Sequence, residues 1–198
     1  MTKSDPNFRQ RLDDWFDTHL NELLSDLREL IAIRSVEGAP SAGKPYGDGP
    51  AQALSKASQL LEQYGFTVYN FENRVITADL NEKTPALGIL AHLDVVEEGT
   101  GWNTDPFELT ITENGGMLLG RGVSDDKGPA VAALYAMRAV RELFPELSAG
   151  CRLILGSAEE TGMDDLKHYS AAHKYPPYVF SPDADYPLIN TEIGRAHV

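Results

Sequence analysis

Four clusters of acidic or histidine residues each stand where an apolar run stops. His92 and Asp94 follow Leu87-Gly88-Ile89-Leu90-Ala91, and Asp125 and Asp126 lie inside Gly120-Arg121-Gly122-Val123-Ser124-Asp125-Asp126-Lys127-Gly128. Glu159 and Glu160 come after Leu153-Ile154-Leu155-Gly156, and Asp183 after Tyr178-Val179-Phe180. Imidazole and carboxylates are the ligands of zinc-like divalent cations. Parallel-sheet enzymes collect their chemistry at the carboxyl ends of strands. Any one of these clusters alone is ordinary surface or turn chemistry. The repeated pattern of strand followed by acid reads as the site of a two-metal hydrolase.

Each cluster suggests its own task. Positions i and i+2 of a strand share a face, so Asp94 can sit beside His92, fix its ring and raise its basicity while the other ring nitrogen ligates. The glycines around Asp125-Asp126 allow a close backbone approach, and a carboxylate placed there can bridge two cations about 3.5–4 Å apart. Asp125 is the bridging candidate, whereas Asp126, directly before a helix, reads as its cap. Adjacent carboxylates at Glu159 and Glu160 must point different ways, so one can ligate while its neighbour takes a proton from water.

Elements that could position these residues are legible in the periodicity. Phe8, Leu12, Phe16, Leu20, Leu23, Leu27, Leu30 and Ile31 recur at helical spacing over roughly 6–32. A Gly- and Pro-rich loop covers 37–50, and a second helix follows at 51–64, closed by Gly65. Strands are expected at 67–71, 75–80 and 87–96, the last as a buried central strand. A hairpin is expected over 107–120, turning at Asn114-Gly115-Gly116. Next come a helix at 128–143, a buried strand at 151–157, a short helix at 164–173 and a final strand at 178–181. Helices alternating with apolar strands predict an α/β layered domain.

The 198-residue chain is 42% hydrophobic and 24% charged, as expected of a globular domain, and carries a net charge of −13. That charge excludes a nucleic-acid binder, because no basic patch competes with the acids. The start of the chain has no apolar core of a secretory signal, and no run reaches the length of a membrane span. The single cysteine, Cys151, reads as a small buried hydrophobe rather than a nucleophile, and a cytoplasmic protein is expected. Trp102 and Phe107 read as packing beneath a loop, and His168 and His173, five apart on a helix, as surface residues.

Taken in order, His-x-Asp, Gly-x-Gly-x-x-Asp-Asp-Lys-Gly, Glu-Glu and Pro-Asp-Ala resemble the M20 metallopeptidase family. More narrowly they resemble its PepV- and Sapep-like dipeptidase branch, which Pro45-Tyr46-Gly47-Asp48-Gly49, Trp102–Phe107 and Asp183–Pro187 also fit. The resemblance implies a three-layer α/β/α zinc-peptidase-like catalytic domain and hydrolysis of dipeptides or short peptides. It implies two divalent cations, zinc foremost, with manganese or cobalt also compatible. His92 and Asp183 would hold one cation, Glu160 the other and Asp125 both, with Glu159 as general base and Asp94 orienting His92. It also implies a cis bond between Asp125 and Asp126.

The same resemblance exposes a shortfall. Members of the family are roughly twice as long, with a substrate-binding lid domain and a late histidine that completes the second cation site. Residues 1–192 are therefore expected to be the N-terminal part of the catalytic domain, without turnover of its own. Ile193–Val198 resemble the translation of a sequencing adapter and are expected to be a non-native tail, so His197 is no substitute ligand. Two other functions stay open on the residues alone: an M20-type deacylase or carboxypeptidase acting on N-acyl amino acids, and a noncatalytic metal-binding module. Oligomeric state and specificity are not legible.

Overall fold

The computed structural model describes residues 7–113 and 116–183. Its helices are α1 (Phe8–Ile31), α2 (Asp48–Gln63), α3 (Lys127–Leu143) and α4 (Asp164–Ala172). Its strands are β1 (Val68–Phe71), β2 (Val75–Asp79), β3 (Pro85–His92), β4 (Thr110–Ile111), β5 (Leu118–Leu119), β6 (Gly150–Gly156) and β7 (Tyr178–Phe180). No described helix is long and apolar enough to cross a membrane.

Alternation along the strands builds three layers. Ile76, Ala78, Ile89, Ala91, Leu153 and Leu155 turn to one face, where they join Leu27, Leu54, Leu61, Val131 and Leu134 from α1, α2 and α3 in the main core. Val75 and Ile154 turn to the other face and pack on Tyr169 of α4, with Phe71, Leu90 and Leu166 around them. Each fully buried Leu or Ile contributes about 1.5–3 kcal/mol of transfer free energy, so strand alternation fixes which residues can face the site.

The main sheet has the order β1-β2-β6-β3-β7, mixed in direction: β3 is parallel to both β6 and β7, while β2 is antiparallel to β1 and β6. Register then determines what meets at its end. His92 pairs with Gly156, so Glu159 and Glu160 emerge just beyond the same edge. Ile89 pairs with Phe180, which brings Asp183 out level with His92. Three neighbouring parallel strands thus deliver the histidine and the acids to one place.

Several boundaries differ from the sequence expectation for local reasons. Helix α2 begins at Asp48 instead of 51, because Pro50 falls in its first turn, where no N–H is required. Its end is as expected: the N–H groups of Gly65 and Phe66 donate to Glu62 and Leu61, a Schellman arrangement. Strand β3 stops at His92 instead of continuing to Val96. Beyond it Leu93 donates to Gly156, while Val95 donates to Ser35 and the Ser35 hydroxyl donates back to Leu93, so the chain leaves the sheet for the 35 loop. The β4–β5 hairpin is two residues deep on each side, and its expected turn at 114–115 lies outside the described residues.

A polar clasp joins the helices on the outer side of the main core. Tyr64 and Tyr135 both donate to Asp26 Oδ2, at 2.6 and 2.7 Å. The Arg138 guanidinium lies 3.6 Å over the Tyr64 ring and donates to Glu22 at 2.9 Å. Asp26 is 5% exposed, so its charge is held by hydroxyl donors in place of water.

Candidate metal centre

His92 is buried at the end of β3, and its two ring nitrogens face different surroundings. Nδ1 lies 3.1 Å from the Asp94 carbonyl oxygen and 3.3 Å from Asp94 Oδ1, so this nitrogen carries the proton that they accept. Nε2 is buried without a hydrogen-bond partner and looks toward Asp125 Oδ1 at 3.0 Å, Asp183 Oδ2 at 3.4 Å and Glu159 Oε2 at 3.9 Å. A lone pair ringed by carboxylate oxygens is repulsive until a proton or a metal cation stands between them.

Donor atoms group in two ways. One atom each from His92, Asp125 and Glu160 lie within 4.8 Å of one another, and the same holds for His92, Asp126 and Asp183. All four expected ligands, His92, Asp125, Glu160 and Asp183, therefore converge on one cleft, with Asp94 and Glu159 beside them. A cavity of about 50 Å³ runs between His92, Glu159, Ser181 and Asp183, room for one or two waters. The Asp125 side chain is 58% exposed and forms the open side of the cleft, while His92 forms its floor.

The acids are short of positive charge. Burial, with the charges of neighbouring acids, raises Glu159, Glu160 and Asp183 above the ordinary carboxylate range. Burial likewise pushes Asp126 up to about 7. For His92 burial works against the charged ring, but the Asp94 hydrogen bond and the charges of Asp94, Asp126 and Glu159 outweigh it and lift the imidazole to about 10. A site that draws in protons to this degree suits a divalent cation, and its imidazole and carboxylate donors match that chemistry.

Asp126 differs from its expected role. It occupies the N-cap position of α3, yet its side chain makes no capping bond. Instead Oδ2 accepts the backbone N–H of His92 at 3.0 Å, and Oδ1 is buried without a partner. The Asp125–Asp126 peptide is cis. A Cβ on Gly128 would meet the Val123 carbonyl oxygen at 1.9 Å, so only glycine lets this loop close onto α3. Lys127 is fully buried, donates to the Leu30 and Ile33 carbonyls at 2.9 and 2.6 Å, and is lowered by burial to about 7.

Asp94 has a second task that its spacing did not reveal. Its two oxygens accept the N–H groups of Glu159 and Glu160, at 3.2 and 3.0 Å. Tyr46 of the Gly- and Pro-rich loop donates to Asp164 at 2.8 Å, and Arg74 donates to the same carboxylate at 2.9 Å, pinning the start of α4. Trp102 and Phe107 are half-buried and lie outside the core clusters, covered by Arg121 and Arg34 respectively. His168 pairs with Glu72 at the surface, and His173 stacks on Tyr169, both away from the cleft. Half-buried Cys151 has its thiol pushed up by burial to about 11, which suits packing and not nucleophilic attack. Asp185–Pro187 and the tail at 193–198 lie outside the described residues.

The layered α/β sheet brings a histidine and several acids to the ends of neighbouring parallel strands, as a candidate metal centre requires. Residues 88–195 match the model of peptidase family M20/M25/M40, and the chain belongs to that family. It is 40% identical over 174 residues to the Beta-Ala-Xaa dipeptidase of Lactobacillus delbrueckii subsp. lactis, covering 87% of this chain and 37% of that protein. With the Bacillus subtilis protein YtjP it shares 38% over 175 residues, again 87% of this chain and 37% of the relative. The crystal structure of human carnosine dipeptidase 1 superposes with a TM-score of 0.67 at 27% identity, over 81% of this chain and 36% of that one. The chain thus spans well under half the length of the curated relatives it matches.

Proposed function

We propose that residues 1–192 form the N-terminal part of the catalytic domain of a metal-dependent dipeptidase, with 193–198 a non-native tail. The observation that carries this reading is His92 Nε2, buried, unpartnered and ringed by Asp125, Asp183 and Glu159. His92 and Asp183 would hold one divalent cation and Glu160 a second, with Asp125 contributing to both; zinc is foremost, and manganese or cobalt is compatible with the same donors. When bound, such cations lower the pKa of water and polarise the scissile carbonyl.

The chain's own residues do the rest. Asp94 fixes the His92 ring through Nδ1 and holds the backbone of the Glu159–Glu160 turn. Glu159, raised above ordinary acids by burial, takes the proton of the attacking water and returns it to the leaving amine. Relatives named as dipeptidases support a dipeptide or short peptide as substrate. The cytoplasm is the compartment of this reading, in keeping with a single unpaired cysteine. Because the chain spans 37% of its relatives, we propose that it does not turn over substrate alone.

The test uses the parent-length protein. Glu159→Ala should keep its bound metal and lose dipeptide hydrolysis by about 10²–10⁴-fold. Hydrolysis that survives the substitution within a few-fold removes Glu159 as the base. Complete absence of hydrolysis in the unsubstituted parent would favour a noncatalytic metal-binding module, and cleavage of N-acyl amino acids in preference to dipeptides the deacylase alternative.

A further inference from the structure

Two buried carboxylates divide between them the four successive amides that lead from β6 toward α4. Asp165 Oδ2 accepts the N–H groups of Ser157 and Ala158, at 2.6 and 3.0 Å. Asp94 takes the next two, those of Glu159 and Glu160. Asp165 is 0% exposed, and its other oxygen accepts Leu166 N–H at 2.7 Å.

The burial of Asp165 is not explained by its helix. An acid in a first turn favours the helix equally well from an exposed position, and its neighbour Asp164 is exposed and bonded to Tyr46 and Arg74. Burying a carboxylate is costly unless hydrogen bonds compensate it, and here two of the compensating donors belong to the 157–158 backbone. The sequence makes room for this contact. A Cβ on Gly156 would lie 2.5 Å from Asp165 Oδ2, a distance side-chain carbons do not adopt, so a side chain at 156 would push the carboxylate from its seat.

We infer that Asp165, seated against Gly156, is a positioning residue for the Glu159–Glu160 pair; this rests on the reading above, in which Glu160 holds a cation and Glu159 takes a proton. Glutamate has three rotatable side-chain bonds, so its carboxylate is placed only as well as its backbone is fixed. Asp94 grips the turn from the end of β3, and Asp165 grips it from α4. Without Asp165 the Ser157 and Ala158 amides lose their acceptor, and the Asp94 bonds become a hinge about which Glu160 swings. The effect should therefore fall on metal held through Glu160 and spare donors on β3 and after β7.

Calorimetric titration of the parent-length protein with Co²⁺ alone, followed also by the visible Co²⁺ absorption, tests this at the cation held through Glu160. Asp165→Ala should weaken Co²⁺ binding about 10–100-fold. Asp165→Asn, which keeps an oxygen for the Ser157 and Ala158 amides, should stay within about threefold of the unsubstituted chain. In a Glu160→Ala background the Asp165→Ala change should add less than about threefold, because its effect is transmitted through Glu160. Equal losses in both backgrounds would mean a general structural role and overturn the inference. Should Asp165→Ala fail to melt cooperatively, Gly156→Ala displaces the same carboxylate without deleting it and should give the same loss. If Glu160→Ala weakens binding while Asp165→Ala and Gly156→Ala do not, the inference alone fails. If Glu160→Ala itself leaves Co²⁺ binding untouched, the ligand reading fails and takes this inference with it.

Discussion

Asp126 Oδ2 accepts the backbone N–H of His92 at 3.0 Å, a bond between the loop before α3 and the last residue of β3. Both residues are almost fully buried, so no water replaces the acceptor once it is removed. Leaving a buried N–H unpaired costs about 1–3 kcal/mol. Asp126→Ala should lower the unfolding free energy of the metal-free chain by that amount, read as a lower urea midpoint, while Asp126→Asn, keeping one acceptor oxygen, should lose less. Equal midpoints for Asp126→Ala and the unsubstituted chain would show that this bond does not hold the loop.

Stability of the metal-free chain should fall as pH rises from about 5 to about 7. Burial raises Asp126 to about 7, so the folded chain keeps a proton that the unfolded chain releases near pH 4. Its contribution is fully present below about pH 4 and is lost as pH rises through 7. Glu159, Glu160 and Asp183 are raised as well and act in the same direction. Above about 7 two groups act oppositely: lowered Lys127 lets the folded chain shed a proton that the unfolded chain retains up to about 10.5, while His92, lifted to about 10, keeps one that the unfolded chain releases near 6.5. Urea midpoints in the presence of a chelator check this, and a midpoint that climbs between pH 5 and 7 contradicts it.

Apolar periodicity revealed the four helices and the principal strands, because alternation and helical spacing are local properties of the chain. Where β3 ends was not local: it depends on Leu93 and Val95 finding Gly156 and Ser35 as partners. The candidate ligands were legible by type and by their place after apolar runs, but their convergence needed the pairings His92 with Gly156 and Ile89 with Phe180. Asp126 reads locally as a cap and instead serves the neighbouring strand. Asp165 lies in the first turn of α4, where nothing local distinguishes it from Asp164, and only the fold turns it inward to the Ser157 amide. Buried polar groups are assigned by whichever donors tertiary packing leaves without water, and sequence spacing carries no record of that.

Removing one hydroxyl from the helix clasp should separate its two halves energetically. Tyr135→Phe deletes the 2.7 Å bond to Asp26 and the 3.2 Å contact with the Tyr64 hydroxyl but leaves the Tyr64 bond to Asp26 in place, for a cost of about 1 kcal/mol. Asp26→Ala leaves both hydroxyls without their acceptor and should cost about 2–3 kcal/mol. Neither should alter Co²⁺ affinity, because the clasp lies among α1, α2 and α3, away from the strand ends. Thermal melts and metal titrations of the two variants check both statements, and a Tyr135→Phe penalty equal to that of Asp26→Ala would show that Tyr64 contributes nothing.

Metal itself should stabilise the chain by mass action. A cation that binds only the folded state at a hundred times its dissociation constant adds about 2.7 kcal/mol. Zn²⁺ at that excess should raise the melting temperature of the unsubstituted chain, and a chelator should reverse the rise. Asp125 and Asp183 lie 3.0 and 3.4 Å from His92 Nε2. Asp183→Ala should reduce the rise by depriving one cation of a ligand, while Asp125→Ala, which deprives both, should reduce it further at the same free Zn²⁺. The two substitutions also relieve carboxylate repulsion in the metal-free state, so each variant has to be compared with its own chelated form. If Asp125→Ala retains the full rise while Asp183→Ala loses it, Asp125 is no bridge and the cleft gathers its cation through Asp126 and Asp183.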